Sequence, residues 1–129
     1  MAGIGMRKET RSTYDEVLGN LPDLLKAEGF GVLTQIDVKE TLKQKLGVDF
    51  RRYQILGACN PPLAHRALSA ETDLGVMLPC NVVVYEDDQG KAVVVAIDPM
   101  QTVAAANPKL SDIAGEVRQR LSRVLEKVS

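Results

Sequence analysis

The chain has 129 residues, of which 45% are hydrophobic and 26% are charged, and its 16 basic side chains nearly balance its 17 acidic ones. This length suits one domain that buries roughly two thirds of the surface of its unfolded form, and the composition is typical of an ordered globular protein. A formal net charge of -1 gives no basic field for phosphate backbones, so we expect no nucleic-acid partner. No signal peptide or bilayer-length apolar segment is recognisable, which predicts a cytoplasmic protein without membrane contact.

Hydrophobic periodicity and cap residues in the first half of the chain predict strands that alternate with helices. Thr13 and Glu16 have the spacing of a capping box, and Pro22 is placed to loosen or kink the helix behind them. Gly29 and Gly47 supply helix stops. The predicted elements here are strands at 4–12, 30–36 and 50–59, the first a candidate edge strand, and helices at 13–28 and 37–47.

A proline break and a hairpin organise the middle of the chain. Asn60-Pro61-Pro62 must end the third strand because proline has no amide donor, and an asparagine cap before a proline predicts a helix over 61–70. Further on, the strand-like runs 80–86 and 91–98 flank the turn sequence Asp87-Asp88-Gln89-Gly90. Together they predict a β-hairpin.

The hairpin strands are apolar on both faces, as the runs Val82–Tyr85 and Val93–Val95 show. Helices of a small domain can cover one face of such a sheet, and a second copy of the chain is the simplest cover for the other. Asn107-Pro108 predicts the start of a last helix that runs to Val128. The segment from Met100 to Ala106 between hairpin and helix has a weak pattern, and a helical turn, a loop and a lid all remain open.

The only two cysteines are the first candidates for chemistry, since Cys59 ends one predicted strand and Cys80 begins another. Neighbouring strand ends could bring them to disulfide distance or let them share a metal, and the helix start behind Cys59 would favour its nucleophilic thiolate. The competing interpretation is that both are small buried hydrophobic residues. The only histidine, His65, could join them in a site for a thiophilic metal, although a surface or cap histidine is the simpler interpretation.

Asn60 and Asn81 each follow a cysteine, so they could orient a ligand at the same mouth or could simply cap and bond turns. The sequence contains no nucleophile elbow, no Ser-His-Asp arrangement and no phosphate loop. It therefore favours a noncatalytic homodimeric domain for small-molecule binding or interaction. Its predicted pocket lies between sheet and helices near five residues: Cys59, Asn60, His65, Cys80 and Asn81.

Two alternatives stay open. One is a thiol redox enzyme or sensor in which Cys59 attacks and Cys80 resolves. The other is a soft-metal site that Cys59, His65 and Cys80 would supply. Whether the chain is an enzyme, and which cofactor it would use, the sequence leaves undetermined.

Several segments resemble one family of small proteins. They are Gly29-Phe30, Ile36-Asp37-Val38, Tyr53-Gln54-Ile55-Leu56-Gly57-Ala58-Cys59-Asn60-Pro61, Leu78-Pro79-Cys80-Asn81-Val82 and Ile97-Asp98-Pro99. On these segments the chain resembles the DUF302 family from about Thr10 to Val128, within a single domain over 1–129. The resemblance implies an α+β fold like that of the TATA-binding protein, with an antiparallel sheet, helices packed on one face and a homodimer. It implies no established activity.

Overall fold

The computed structural model describes residues 3–129. The strands are β1 (Met6–Thr13), β2 (Gly31–Asp37), β3 (Tyr53–Cys59), β4 (Cys80–Glu86) and β5 (Lys91–Ala96). The α-helices are α1 (Tyr14–Ala27), α2 (Val38–Leu46), α3 (Pro61–Ala70) and α4 (Ser111–Lys127). Short 3-10 helices span Thr72–Met77, Pro99–Gln101 and Val103–Ala106. In the described part of the chain, no helix has the length and hydrophobicity needed to cross a bilayer.

The strands form one sheet in the order β1-β5-β4-β3-β2, and every neighbouring pair is antiparallel. The predicted α+β class is therefore confirmed. The edge position predicted for the first strand is also confirmed, because β1 lies at one edge of the sheet and β2 at the other.

One face of the sheet, the helix face, carries the core. Leu56 on β3 pairs with Val82 on β4, which pairs with Ala96 on β5, and all three are at most 1% exposed. The helices that cover them contribute three stripes of core residues: Tyr14, Val17, Leu21 and Leu25 from α1, Leu63 and Ala67 from α3, and Ile113, Ala114, Val117, Leu121, Val124 and Leu125 from α4.

The other face, the open face, has no residue in that core. One row of strand-paired residues crosses it from Ile36 through Ile55, Val83 and Val95 to Arg7. The same alternation of side chains that fills the core therefore leaves a band of valine and isoleucine on the opposite side. Val83 and Val95 of this band lie in the floor of a groove described below.

Local cap chemistry places α1 and α2 as the sequence predicts. Thr13 accepts a hydrogen bond from the Glu16 amide at 3.2 Å, and the Glu16 carboxylate accepts from the Thr13 amide at 3.0 Å. Pro22 is accommodated inside α1, which continues past it. The apolar stripe predicted for α2 does not enter the core, because none of its residues is buried and Leu46 is 69% exposed.

The predicted start of the last helix is wrong by three residues. Asn107 caps a separate turn, since its side-chain oxygen accepts from the Lys109 amide at 2.9 Å and its carbonyl accepts from the Leu110 and Ser111 amides. This turn carries Leu110, only 3% exposed, into the core before α4 begins at Ser111. The third strand also begins later than predicted, at Tyr53, because Phe50 lies in an exposed connection.

Candidate functional site

The two cysteines lie at the same end of neighbouring strands but on opposite faces of the sheet. Cys80 pairs across the strands with Ala58, so these two residues share the helix face. Cys59 is the next residue along β3, and successive side chains of a strand point to opposite sides. Both thiols are free and half-buried, and Cys80 packs against the core. The Cys80 sulfur therefore lies against the core on the helix face, whereas the Cys59 sulfur lies on the open face.

The surroundings of Cys80 keep its thiol neutral. Burial raises the pKa of Cys80 to about 11, and the nearby charge of an ionised Cys59 adds a smaller increase. A thiolate is the form that attacks disulfides and electrophiles. At neutral pH, Cys80 therefore behaves as a small apolar side chain.

Asn60 is held by two hydrogen bonds and is only 7% exposed. Its side-chain oxygen caps α3 by accepting from the Leu63 amide at 3.3 Å, and its amide nitrogen donates to the Glu28 carbonyl at 3.3 Å. Gly29 allows this approach, because a Cβ there would lie 2.9 Å from the Asn60 amide nitrogen and its φ is +86°. Asn60 thus joins the end of α1 to the start of α3.

Cys80 and Asn60 line one cavity between the sheet and the helices, which we call the Cys80 cavity. Its volume is about 80 Å³. Leu63 and Ala67 of α3 and Val117 of α4 form much of its wall. The 3-10 helices that follow α3 and β5 add Leu74, Met77, Pro99 and Ala104 to the wall, and Thr102 lies between the last two of these helices.

The other sequence-predicted site residues lie elsewhere. His65 is exposed on α3, and Asn81 is exposed on the open face. Neither His65 nor Cys59 lines the Cys80 cavity. Among residues 3–129, no group of three histidine, cysteine or acidic side chains is placed to hold a metal ion. Of the five residues predicted to surround one pocket, the structure brings two together at a cavity.

A larger depression crosses the open face, and we call it the open-face groove. Its volume is about 690 Å³. Asn81, Val83, Tyr85 and Val95 form its floor, and Arg7 stands at one side. The sequence signalled apolar side chains on both faces of the hairpin and singled out Asn81, but it gave no signal for Arg7 or Tyr85.

The sequence and the fold of this chain are both similar to those of known proteins. A family model described as a domain of unknown function, DUF302, matches residues 6–128. The chain belongs to the DUF302 family. It is similar to the crystal structure of an uncharacterized conserved DUF302 protein from Bacillus stearothermophilus, with 34% sequence identity and a TM-score of 0.90 over 99% of this chain and 100% of that chain. None of the curated proteins matches it.

Family membership, predicted from the Ala-Cys-Asn-Pro and Leu-Pro-Cys segments, is thereby confirmed. In this DUF302 chain the first segment crosses from β3 into α3, and the second enters β4. Both segments border the helix face beside the Cys80 cavity, through Asn60 and Cys80.

Proposed function

We propose that this DUF302 chain is a noncatalytic homodimeric domain that binds a small apolar ligand in the Cys80 cavity. The observation that carries the proposal is the cavity itself, which lies between the sheet and the helices and has Asn60 and Cys80 in its wall. Small-molecule sites are typically concave, mostly apolar and bordered by a few placed polar groups. Asn60 and Cys80, two of the site residues predicted from the sequence, border the Cys80 cavity.

The chemistry of the lining favours an apolar occupant over water. Both polar ends of Asn60 are already hydrogen-bonded, and the Thr102 hydroxyl donates to the Pro99 carbonyl at 2.6 Å. The Cys80 thiol is neutral below its raised pKa. A buried water needs about two to four polar partners, whereas dry apolar cavities of about 150 Å³ take up benzene or xenon. A volume of about 80 Å³ suits xenon or a short alkyl group.

The placement of the cysteines favours binding over thiol chemistry. A resolving cysteine must reach the attacking sulfur, and strand alternation directs Cys59 and Cys80 to opposite faces. The raised pKa of Cys80 also makes it a poor thiolate donor for metal or disulfide exchange.

Xenon uptake tests the cavity directly. We expect pressurised xenon to shift the methyl NMR signals of Leu63 and Val117 in the native protein. Ala67→Leu should abolish the shifts because Ala67 lines the cavity and is 6% exposed. Ala64→Leu fills the same cavity from a half-buried position and serves if the first variant folds poorly.

Ala70→Leu is the matched control, since Ala70 lies on the same helix outside the cavity lining. It should keep the xenon shifts unchanged. The proposal fails if native protein shows no xenon shift, or if a folded Ala67→Leu or Ala64→Leu variant shows the native response.

The second half of the proposal is a homodimer that forms through β2, whereas the sequence pattern alone suggested that a second copy covers the open face. An edge strand exposes unpaired backbone groups, and proteins protect such edges with charged side chains. The β1 edge has this protection through Arg7, Lys8, Glu9 and Arg11, whereas β2 has one charged residue, Asp37, at its end. An edge strand that pairs antiparallel with its own copy gives the two-fold interface of a closed dimer.

Exposed apolar side chains cluster around the same edge. On β2, Leu33 is 68% exposed and Ile36 is 47% exposed. Leu46, Val48 and Phe50, which follow on α2 and its connection to β3, are 69%, 44% and 40% exposed. Burial of these side chains against a second copy would remove them from water, and it would leave the open-face groove accessible because no β2 residue lines that groove.

Light scattering after size exclusion tests this interface. The native protein should elute with the mass of a dimer, and Leu33→Lys should weaken dimerisation by about tenfold or more because it places a charge in the apolar edge. Val76→Lys is the matched control, since Val76 is 90% exposed and lies outside β2. A native monomer at all concentrations contradicts the proposal. So does a dimer that tolerates Leu33→Lys but dissociates with Val83→Lys on the open face.

A further inference from the structure

We propose that the open-face groove binds an elongated amphiphilic monocarboxylate, with the carboxylate on Arg7 and Tyr85 and the apolar chain along Val83 and Val95. This site lies on the opposite side of the sheet from the Cys80 cavity and takes a different class of ligand. The proposal therefore goes beyond the binding function assigned to that cavity.

The groove has the dimensions of a ligand site. Its volume of about 690 Å³ lies within the range of about 300–1,000 Å³ that small-molecule sites occupy. Asn81, Val83 and Tyr85 follow one another on the same side of β4. At roughly 3.4 Å per strand residue, the floor from Asn81 to Tyr85 extends about 14 Å. A ligand that covers this floor must be elongated, because a compact ion would leave most of the floor uncovered.

Two hydrogen-bond donors converge at the Tyr85 end. An Arg7 Nη1–H donates to the Tyr85 hydroxyl oxygen at 2.6 Å, which leaves the hydroxyl proton free to donate elsewhere. The Arg7 guanidinium has further N–H groups, and this bond to Tyr85 raises the pKa of Arg7, so it stays charged. The Arg51 guanidinium lies 5.9 Å from the Tyr85 ring centre and adds positive charge. Such charge-assisted donors bind carboxylates strongly.

The acidic groups that pair with the two arginines at this end are exposed: Asp88 lies 3.4 Å from Arg51 Nη2, and its side chain is 85% exposed. Glu9 lies 3.6 Å from Arg7 Nη2, but its side chain is 72% exposed, and exposed ion pairs of this kind contribute little. Asp98 lies at the opposite, Asn81 end of the groove, and its carboxylate accepts from Arg118 Nε at 3.0 Å and from the Met100 amide at 2.9 Å. Because both ion pairs at the Tyr85 end are exposed, an added carboxylate can replace these acids as the partner of Arg7.

The floor between the Tyr85 end and the Asn81 end is apolar and well supported. Val83 pairs with Val95 across β4 and β5, and both are half-buried. Tyr53 stacks on Tyr85 with ring centres 5.5 Å apart and planes inclined by 6°, which fixes the Tyr85 ring. A charged donor pair at one end of an apolar floor, with the uncharged Asn81 at the other, suits an alkyl or aryl chain that carries a single carboxylate.

A side wall comes from residues 3–5, which Gln101 ties to the body of the protein. The Gly5 amide donates to Gln101 Oε1 at 2.8 Å, and Gln101 Nε2 donates to the Gly3 carbonyl at 3.1 Å. These bonds give the groove a wall beside Asn81 as well as a floor.

Decanoate titration, followed by calorimetry and by the methyl NMR signals of Val83 and Val95, tests the inference. Native protein should bind decanoate more tightly than 1-decanol, which lacks the charge, and more tightly than acetate, which lacks the chain. Arg7→Gln should weaken decanoate binding by about tenfold or more, because it removes a charged hydrogen-bond donor. Tyr85→Phe should weaken it severalfold while it keeps the stacked ring.

Arg11→Gln is the matched control, since Arg11 is an exposed arginine of the same strand outside the groove lining. It should bind decanoate like the native protein. The inference is overturned if decanoate does not bind, if 1-decanol binds equally well, or if Arg7→Gln and Tyr85→Phe leave the affinity unchanged. It is also overturned if these variants change the mass of the assembly, which would make the open face an interface between copies. Xenon uptake in the Cys80 cavity is independent of all these outcomes.

Discussion

Replacing Gly57 by alanine is expected to destabilise the fold by about 3 kcal/mol, the upper end of the usual cost of overpacking. A Cβ at Gly57 would lie 2.6 Å from Cγ of Pro79 and would also collide with Oγ1 of Thr34. Pro79 cannot retreat easily, because it immediately precedes Cys80, whose pairing with Ala58 begins the β3–β4 ladder. Urea denaturation of the two proteins measures the difference.

Gly31→Ala is the matched control for this substitution. Gly31 lies on the neighbouring strand, and an added Cβ there would meet nothing within 4 Å. Its effect should stay within about 0.5 kcal/mol, as for most surface changes. Thr34→Ala should recover part of the loss when it is combined with Gly57→Ala, because it removes one of the two colliding atoms. Equal stability of the Gly57→Ala and Gly31→Ala variants would show that the Pro79 contact is not rigid.

Most element types in this fold are predictable because their signals are local. The capping box of Thr13 and Glu16 fixes the start of α1, and Asn60 followed by Pro61 fixes the start of α3. Both signals depend only on residues within one helical turn. The same rule predicts a start for the last helix that is three residues too early. Asn107 caps a separate turn, and this turn buries Leu110 before the helix begins.

The relation between the cysteines depends on strand register, which the sequence does not encode locally. The sequence places Cys59 and Cys80 at strand ends, and the structure agrees on that point. Their faces follow from the pairing of Ala58 with Cys80. Because side chains alternate, a slip of one residue in this pairing would put both thiols on one face. Whether the two thiols lie on the same face of the sheet therefore could not be decided before the strand register was known.

The open-face groove depends on the order of strands in the sheet, which is set by residues even farther apart in the chain than those that set the strand register. Arg7 and Tyr85 are 78 positions apart in the chain, and they lie on β1 and β4 with β5 between them. The sequence shows the apolar character of Val83 and Val95. It cannot show that an arginine from the first strand reaches across the last strand to the tyrosine hydroxyl, so this donor pair appears only in the folded chain.

Cys80 should resist alkylation by iodoacetamide in the folded protein. Its pKa is raised from an ordinary 9.0 to about 11, so its thiolate fraction at pH 8 falls by about 100-fold. The Cys59→Ser variant isolates this thiol, and mass spectrometry of the labelled protein gives the rate. The rate should rise with pH up to about 11, and urea-unfolded protein should react about 100 times faster at pH 8. Equal rates in folded and unfolded protein would contradict a buried, neutral thiol.

The same shift predicts how stability changes in alkaline solution. The unfolded thiol loses its proton near pH 9, whereas the folded thiol keeps it until about pH 11. Between these values the unfolded state binds fewer protons, so the free energy of unfolding falls as the pH rises. The contribution of Cys80 is complete below pH 9, and up to about 3 kcal/mol is lost on passing the folded pKa.

Cys80→Ala separates this effect from other titrations. Burial also raises the pKa of Tyr14 from 10.0 to about 12, and both proteins share that group, so its contribution cancels in the comparison. The difference in unfolding free energy between native protein and Cys80→Ala should be constant from pH 7 to 9 and should shrink from pH 9 to 11. A constant difference across the whole range would mean that Cys80 titrates alike in both states, and burial in the cavity could not then explain a slow reaction.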